Sequence, residues 1–181
     1  MLGDVQVKID AASHAVNALD TYIDGAFYDG VISKAEADAI EKYINIVNSQ
    51  KSDIDAQFTA LYANSYLSGT AKTNLNSAKE AIDTETTNLL NSINTAIADG
   101  AASEAEKADV DSKFTAFNSA LSTYQTRVEE AKESIETAIE TAANNYTNGQ
   151  LSDYAEVVTG SLGDLQNQID GSITTHFYAY V

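Results

Sequence analysis

Asp29-Gly30-Val31-Ile32-Ser33-Lys34-Ala35-Glu36 returns seventy positions later as Asp99-Gly100-Ala101-Ala102-Ser103-Glu104-Ala105-Glu106, both copies reading D-G-x-x-S-x-A-E. The correspondence extends outward. Leu19, Ile23 and Phe27 align with Leu89, Ile93 and Ile97, and Ile40, Ile44, Val47 and Phe58 align with Val110, Phe114, Phe117 and Val128. The chain is built from one duplicated unit, and repetition at a fixed offset sets the architecture before any single residue is interpreted.

Each copy of the phrase reads as a corner between two helices. Asp29-Gly30 and Asp99-Gly100 supply turn residues. Ser33 with Glu36, and Ser103 with Glu106, form capping boxes in which the Ser oxygen accepts the amide of the third helical residue and the Glu reaches back to the cap amide. Upstream of the first corner, Val5, Ile9, Ala12, Val16, Leu19, Ile23 and Ala26 step by four and three, the mark of a helix with one apolar seam. That helix is expected over 2–27. Downstream, Ile40, Ile44, Val47, Lys51, Ile54, Phe58 and Leu61 continue the pattern to about Tyr62, with Lys51 at the seam edge and its stem buried.

The segment Ala63 to Thr70 has a loop composition, with Tyr66 and Leu67 tucked against the helix ends. A third helix follows over about 71–97, with seam residues Leu75, Ala78, Ile82, Leu89, Ile93 and Ala96. The fourth carries Val110, Phe114, Phe117, Leu121, Tyr124, Val128, Ala131, Ile135, Ala138 and Ala142 and is expected to end near Asn145. Its length exceeds that of the others, so its end overhangs and needs a further surface. Asn148-Gly149 reads as a helix end. A shorter, weaker helix bearing Leu151, Ala155, Val158, Leu162, Leu165 and Ile169 then follows, with Gly160 and Gly163 as possible interruptions. Ile173 to Val181, rich in Thr, Phe, Tyr and Val, reads as a strand that needs a following β-module or another chain as partner.

The expected fold is thus all-α: two tandem long αα-hairpins in an antiparallel four-helix or coiled-coil arrangement, with a short C-terminal helix leading into a β-strand. The boundaries are 1–62 for the first hairpin, 63–70 for the loop, 71–147 for the second hairpin, 148–172 for the C-terminal helix and 173–181 for the strand. Val47, Phe58, Phe117 and Leu121 are the residues expected to hold the packing together.

Composition narrows the function. Of 181 residues, 44% are apolar, enough for a core. The absence of Pro permits long helices, and the absence of Cys excludes disulfides, thiolate zinc sites and cysteine nucleophiles. A net charge of −17 with only ten Lys and Arg argues against nucleic-acid binding. No stretch approaches the roughly 20 apolar residues of a membrane span.

The corners invite a metal test, because D-G-x-I-S-x-x-E matches the second half of an EF-hand loop, with Asp29 at position 5, Gly30 at 6, Ser33 at 9 and Glu36 at 12. Positions 1 and 3 are then Gly25 and Phe27, or Thr95 and Ile97 in the second copy, so two carboxylate ligands are missing and a turn with a helix cap is the better reading. No metal or cofactor is expected. His14 and His176 have no neighbouring ligand set and read as surface residues. Glu129 with Glu130 reads as a solvated face, and no nucleophile, base and orienting group can be assembled, so no enzymatic activity is expected. Among the ten Tyr, Tyr124 and Tyr43 belong to seams. Tyr154, Tyr178 and Tyr180 suit either packing or a contact surface.

The corners, the loop Leu61-Tyr62-Ala63-Asn64-Ser65-Tyr66-Leu67 with Ala71-Lys72-Thr73-Asn74-Leu75, and the stretch Ile93-Asn94-Thr95-Ala96-Ile97-Ala98-Asp99-Gly100 resemble the helical repeat region of tail-tip, tail-fibre or minor structural proteins of tailed bacteriophages and prophages. Leu165-Gln166-Asn167-Gln168-Ile169-Asp170-Gly171-Ser172-Ile173 resembles the junction where such proteins pass into a β-rich module. The resemblance covers nearly the whole chain and rests on packing and capping residues. It implies a virion structural protein assembled in the host cytoplasm, partnered by other phage tail proteins and by its own copies, often as a trimer. The expected role is a helical spacer positioning a distal module for host attachment. The alternative is an adhesin that contacts host glycan or protein through its helices or its C-terminal aromatics.

Overall fold

The computed structural model describes the backbone of residues 2–178 and the side chains of residues 6–170. Its elements are α1 (Leu2–Ala26), α2 (Lys34–Tyr62), α3 (Gly69–Ile97) and α4 (Glu104–Tyr178). Two compact units divide the chain, Met1–Glu136 and Thr137–Val181.

In the first unit the two hairpins share one apolar core. Ile9, Ala12, Val16, Leu19, Ile23 and Ala26 of α1 are all buried, as are Ile40, Ile44, Val47, Ile54 and Leu61 of α2. The seam positions of α3, together with Val110 through Ile135 of α4, complete the same cluster. Val5 lies outside the residues whose side chains are described. The four helices converge at a void of about 10 Å³ lined by Ala12 and Val16, Val47 and Ile54, Ile82, and Phe117. A space of that size holds one water at most, so the centre of the bundle is close-packed.

Two residues of the first unit, one in the α2 seam and one in the loop, depart from expectation. Phe58 is only half-buried and stacks on Tyr62 with ring centroids 5.2 Å apart. Tyr66 is exposed, whereas its neighbour Leu67 is 2% exposed and does fill the space beneath the 63–68 loop. The Asn64 side chain accepts the Tyr66 amide at 2.9 Å, a local turn that points the Tyr ring away from the core. α3 begins at Gly69, two residues before the expected start.

The second unit differs more. Asn145 and Asn148-Gly149 do not end α4, no shorter helix begins after them, and residues 173–178 are helical and form no strand. Residues 179–181, the remainder of the expected strand, lie outside the described residues. Glycine lowers helix stability by roughly 1 kcal/mol per residue without blocking it, and only Pro removes the donor and clashes with the preceding turn. Gly149, Gly160 and Gly163 accordingly keep negative φ inside the helix; among the described residues positive φ occurs only at Gly30, Gly69 and Gly100. A helix also satisfies its own backbone, while a lone strand cannot.

Candidate functional site

The duplicated corners meet each other. Val31 and Ala101, the same position in the two copies, form an isolated antiparallel bridge. The Ile32 amide donates to the Gly100 carbonyl at 2.8 Å, and the Ala102 amide donates to the Gly30 carbonyl at 3.1 Å. Each bond maps onto the other when seventy is added or subtracted, so the corners are related by a local two-fold axis. Gly30 and Gly100 sit at φ of 75° and 78°, a conformation that costs a side-chain-bearing residue roughly 1–2 kcal/mol. Asp29 and Asp99 brace the turns, each accepting the amide two residues on at 3.0 Å.

Beyond the bridge each corner starts its own helix. Glu36 Oε2 accepts the Ser33 amide at 2.9 Å while the Glu36 amide donates to Ser33 Oγ at 3.3 Å. Ser103 and Glu106 repeat the box at 2.8 and 3.3 Å. The Ser103 hydroxyl, which donates to Glu106 Oε2 at 2.6 Å, and the Ser103 amide together hold the Glu106 carboxyl below its usual range. Glu36 and Glu106 are turned onto the helix ends and Phe27 is 3% exposed in the core, so the geometry is that of a capped turn. The structure thus brings Asp29, Gly30, Asp99 and Gly100 to one place and leaves each capping pair local.

A second polar feature was not visible in the spacing. Lys51 and Asp55 of α2 face Lys79 and Asp83 of α3 in a closed ring of ion pairs. Lys51 Nζ lies 2.8 Å from Asp55 and 2.9 Å from Asp83, and Lys79 Nζ lies 2.6 Å from each. The Lys79 side chain is only 8% exposed, and its Nζ sits 5.7 Å from the Phe58 ring centroid. Burial opposes charge on both Lys51 and Asp55, but the mutual hydrogen bonds outweigh it, raising Lys51 and lowering Asp55. Tyr124 of α4 is 1% exposed, and its hydroxyl has no hydrogen-bond partner among the described residues. Burial pushes its pKa up, and the Asp55 and Asp83 charges add to this.

An unsatisfied buried hydroxyl costs about 1–3 kcal/mol. Tyr124→Phe should therefore raise unfolding stability by about 1 kcal/mol, read from the midpoint of a urea melt at constant slope. The ion ring should give an acid-dependent term. The Asp55 pKa is lowered in the folded state, so its contribution is present above the unfolded value near 3.8 and is lost as pH falls through the folded value. Lys79→Met should cost about 1–2 kcal/mol at pH 7, between the limits for exposed and fully buried pairs because both carboxylates are 42% exposed. That gap between wild type and variant should narrow as pH falls below the unfolded Asp value near 3.8, in melts run across the acid range.

Away from the corners the two copies are not alike. Subtracting or adding seventy places Ile9, Ser13, Leu121 and Gln125 where the ring has Lys79, Asp83, Lys51 and Asp55, and these four line an open groove of about 340 Å³ between α1 and α4. Similarly, Tyr22 and Tyr43 pack with ring centroids 5.2 Å apart in the first hairpin. Their counterparts Ser92 and Lys113 line an open polar groove of about 270 Å³ in the second, where Ser92 donates to Asp109 at 2.5 Å. Asp20, Asp24 and Asp111 bring carboxylate oxygens within 4.8 Å of one another. Asp20 is raised chiefly by burial and further by the other two charges. His14 is exposed, and Glu129 and Glu130 are engaged by Lys132 and Arg127 on the same helix.

Val47, Phe117 and Leu121 are 3–4% exposed and lie in the core. None of the described helices is long and apolar enough to cross a membrane. No protein-family model, curated protein or solved structure matches the chain.

Proposed function

We propose that the chain is a non-catalytic helical spacer of a tailed-phage tail protein, holding a distal attachment module at a set distance and working beside other tail proteins. The observation that carries a structural role is the reciprocal pairing of the two corners, which ties the hairpins of the first unit into one body at their turn ends. A spacer needs such a tie because hairpins joined only by the 63–68 loop hinge about it. The assignment to a phage tail rests on the resemblance of the corner and loop sequences. Gold-labelled antibody raised against the chain should decorate the tails of purified particles produced by a host carrying the gene. Particles that carry no label while the chain stays in the particle-free fraction would sink the reading.

Exposed Tyr146 and Tyr154, 72% and 70% accessible, favour a second reading as an adhesin. Its test is binding of the purified chain to host cells and loss of that binding in a Tyr146→Ala, Tyr154→Ala variant. Of the terminal aromatics, the Tyr178 side chain and all of Tyr180 lie outside the described residues.

A further inference from the structure

The seam of the first unit does not continue in register along α4. Steps of three and four onward from Ile135 and Ala142 fall on Asn145 and Gly149. Apolar residues resume at Leu151 and step by four and three through Ala155, Val158, Leu162 and Leu165 to Ile169. This second stripe is exposed, with Leu151 at 62%, Leu162 at 61% and Leu165 at 53%. A strict 3.5-residue period belongs to helices that wind around one another.

Two properties of the stripe indicate its occupant. The first is charge. The positions flanking it are Ser152, Tyr154, Thr159, Ser161, Gln166 and Gln168, all neutral, while Asp153, Glu156 and Asp164 fall on the outer positions of the heptad. An identical helix can therefore lie along the stripe without a like-charge pair, and a basic partner would find no acid beside it to select it. The second is size. Read from its two ends, the stripe pairs Leu151 with Ile169, Ala155 with Leu165, and Val158 with Leu162. Two copies laid antiparallel fill every layer, with Leu165 of one covering the small Ala155 of the other. Two parallel copies set Ala155 against Ala155 and leave a gap.

We propose that residues 151–169 form a self-complementary docking face occupied by the same segment of a second copy, running antiparallel about a two-fold axis near position 160. A self-complementary patch on a two-fold axis is what a symmetric dimer requires. The stripe is about 27 Å long and offers on the order of several hundred Å² per copy, below the roughly 800 Å² of a standard interface, so the dimer is reversible and concentration-dependent. The proposal does not depend on the phage-tail assignment.

The cysteine-free sequence makes crosslinking a clean test. The full chain is prepared as Leu151→Cys and as Ile169→Cys, both at exposed positions, and each is oxidised alone and mixed. A disulfide needs Cα atoms within about 7 Å. In the antiparallel dimer, residue 151 meets 169 and lies about 27 Å from its own copy. The mixture should therefore give at least about tenfold more linked dimer than either variant alone, and adding Leu162→Asp to both should abolish it while circular dichroism stays helical. Sedimentation should show the wild-type mass rising with concentration and the Leu162→Asp mass staying monomeric. Self-linking of each variant alone would replace the proposal with a parallel dimer or trimer. A monomer at every concentration, with no linked product, would overturn it outright.

Discussion

Phe117→Ala should lower the stability of the first unit by about 3–5 kcal/mol, the range for emptying a buried aromatic site. Phe117 is 3% exposed and borders the void at which all four helices converge. Its removal enlarges a cavity walled by Ala12, Val16, Val47, Ile54 and Ile82, residues fixed on three other helix backbones that cannot all collapse inward. The control is Phe58→Ala. Both read as packing residues in the sequence, but Phe58 is half-buried, so its loss should be clearly smaller. Urea melts followed by far-ultraviolet circular dichroism decide the order; equal losses would mean that the convergence point is not the energetic centre of the bundle.

Replacing both corner glycines, Gly30→Ala with Gly100→Ala, should cost about 2–4 kcal/mol, since each forces a methyl-bearing residue into the left-handed region at roughly 1–2 kcal/mol. Steric overlap adds little: a Cβ at either position would meet the opposite corner's carbonyl, Ala102 or Ile32, at an ordinary 3.5 Å. The informative quantity is coupling. The two sites share one bridge, so their effects should depart from additivity. Gly30→Ala alone should speed hydrogen exchange at both the Ile32 and Ala102 amides, which donate across the axis. Acceleration at Ile32 alone would show that the corners fold independently.

Much of the first unit was legible in the chain because its determinants are local. Capping boxes, Asp-Gly turns and apolar spacing act within a few residues, and Ser33–Glu36 and Ser103–Glu106 form the bonds their spacing implies. The bounds of α1 to α3 followed to within two residues. What escaped were contacts between segments. Lys79 sits beside the seam residue Ala78 with no spacing signal of its own; its burial depends on Lys51, Asp55 and Asp83 arriving from both sides of a helix interface. The Tyr22–Tyr43 contact was hidden for the same reason.

The length of α4 departs from its local signals in the opposite direction. Gly149 and the β-branched run after Ile173 each disfavour helix by an amount smaller than the cumulative preference of an unbroken, proline-free segment. The exposed stripe at 151–169 was read from its spacing, but its exposure among the described residues is a property of the folded chain.

By itself the sequence determined the helical class, the duplication, the corners and the seam that each helix of the bundle buries, because hydrogen bonding along one helix and the 3.5- to 3.6-residue period are set by neighbours in the chain. Only the tertiary structure decided that the two corners pair with each other, that four charges close a ring on one side of the bundle while its duplicate carries Ile9, Ser13, Leu121 and Gln125, and that α4 runs through its glycines. Those outcomes depend on which surfaces meet across space, and residues seventy positions apart carry no local record of their meeting.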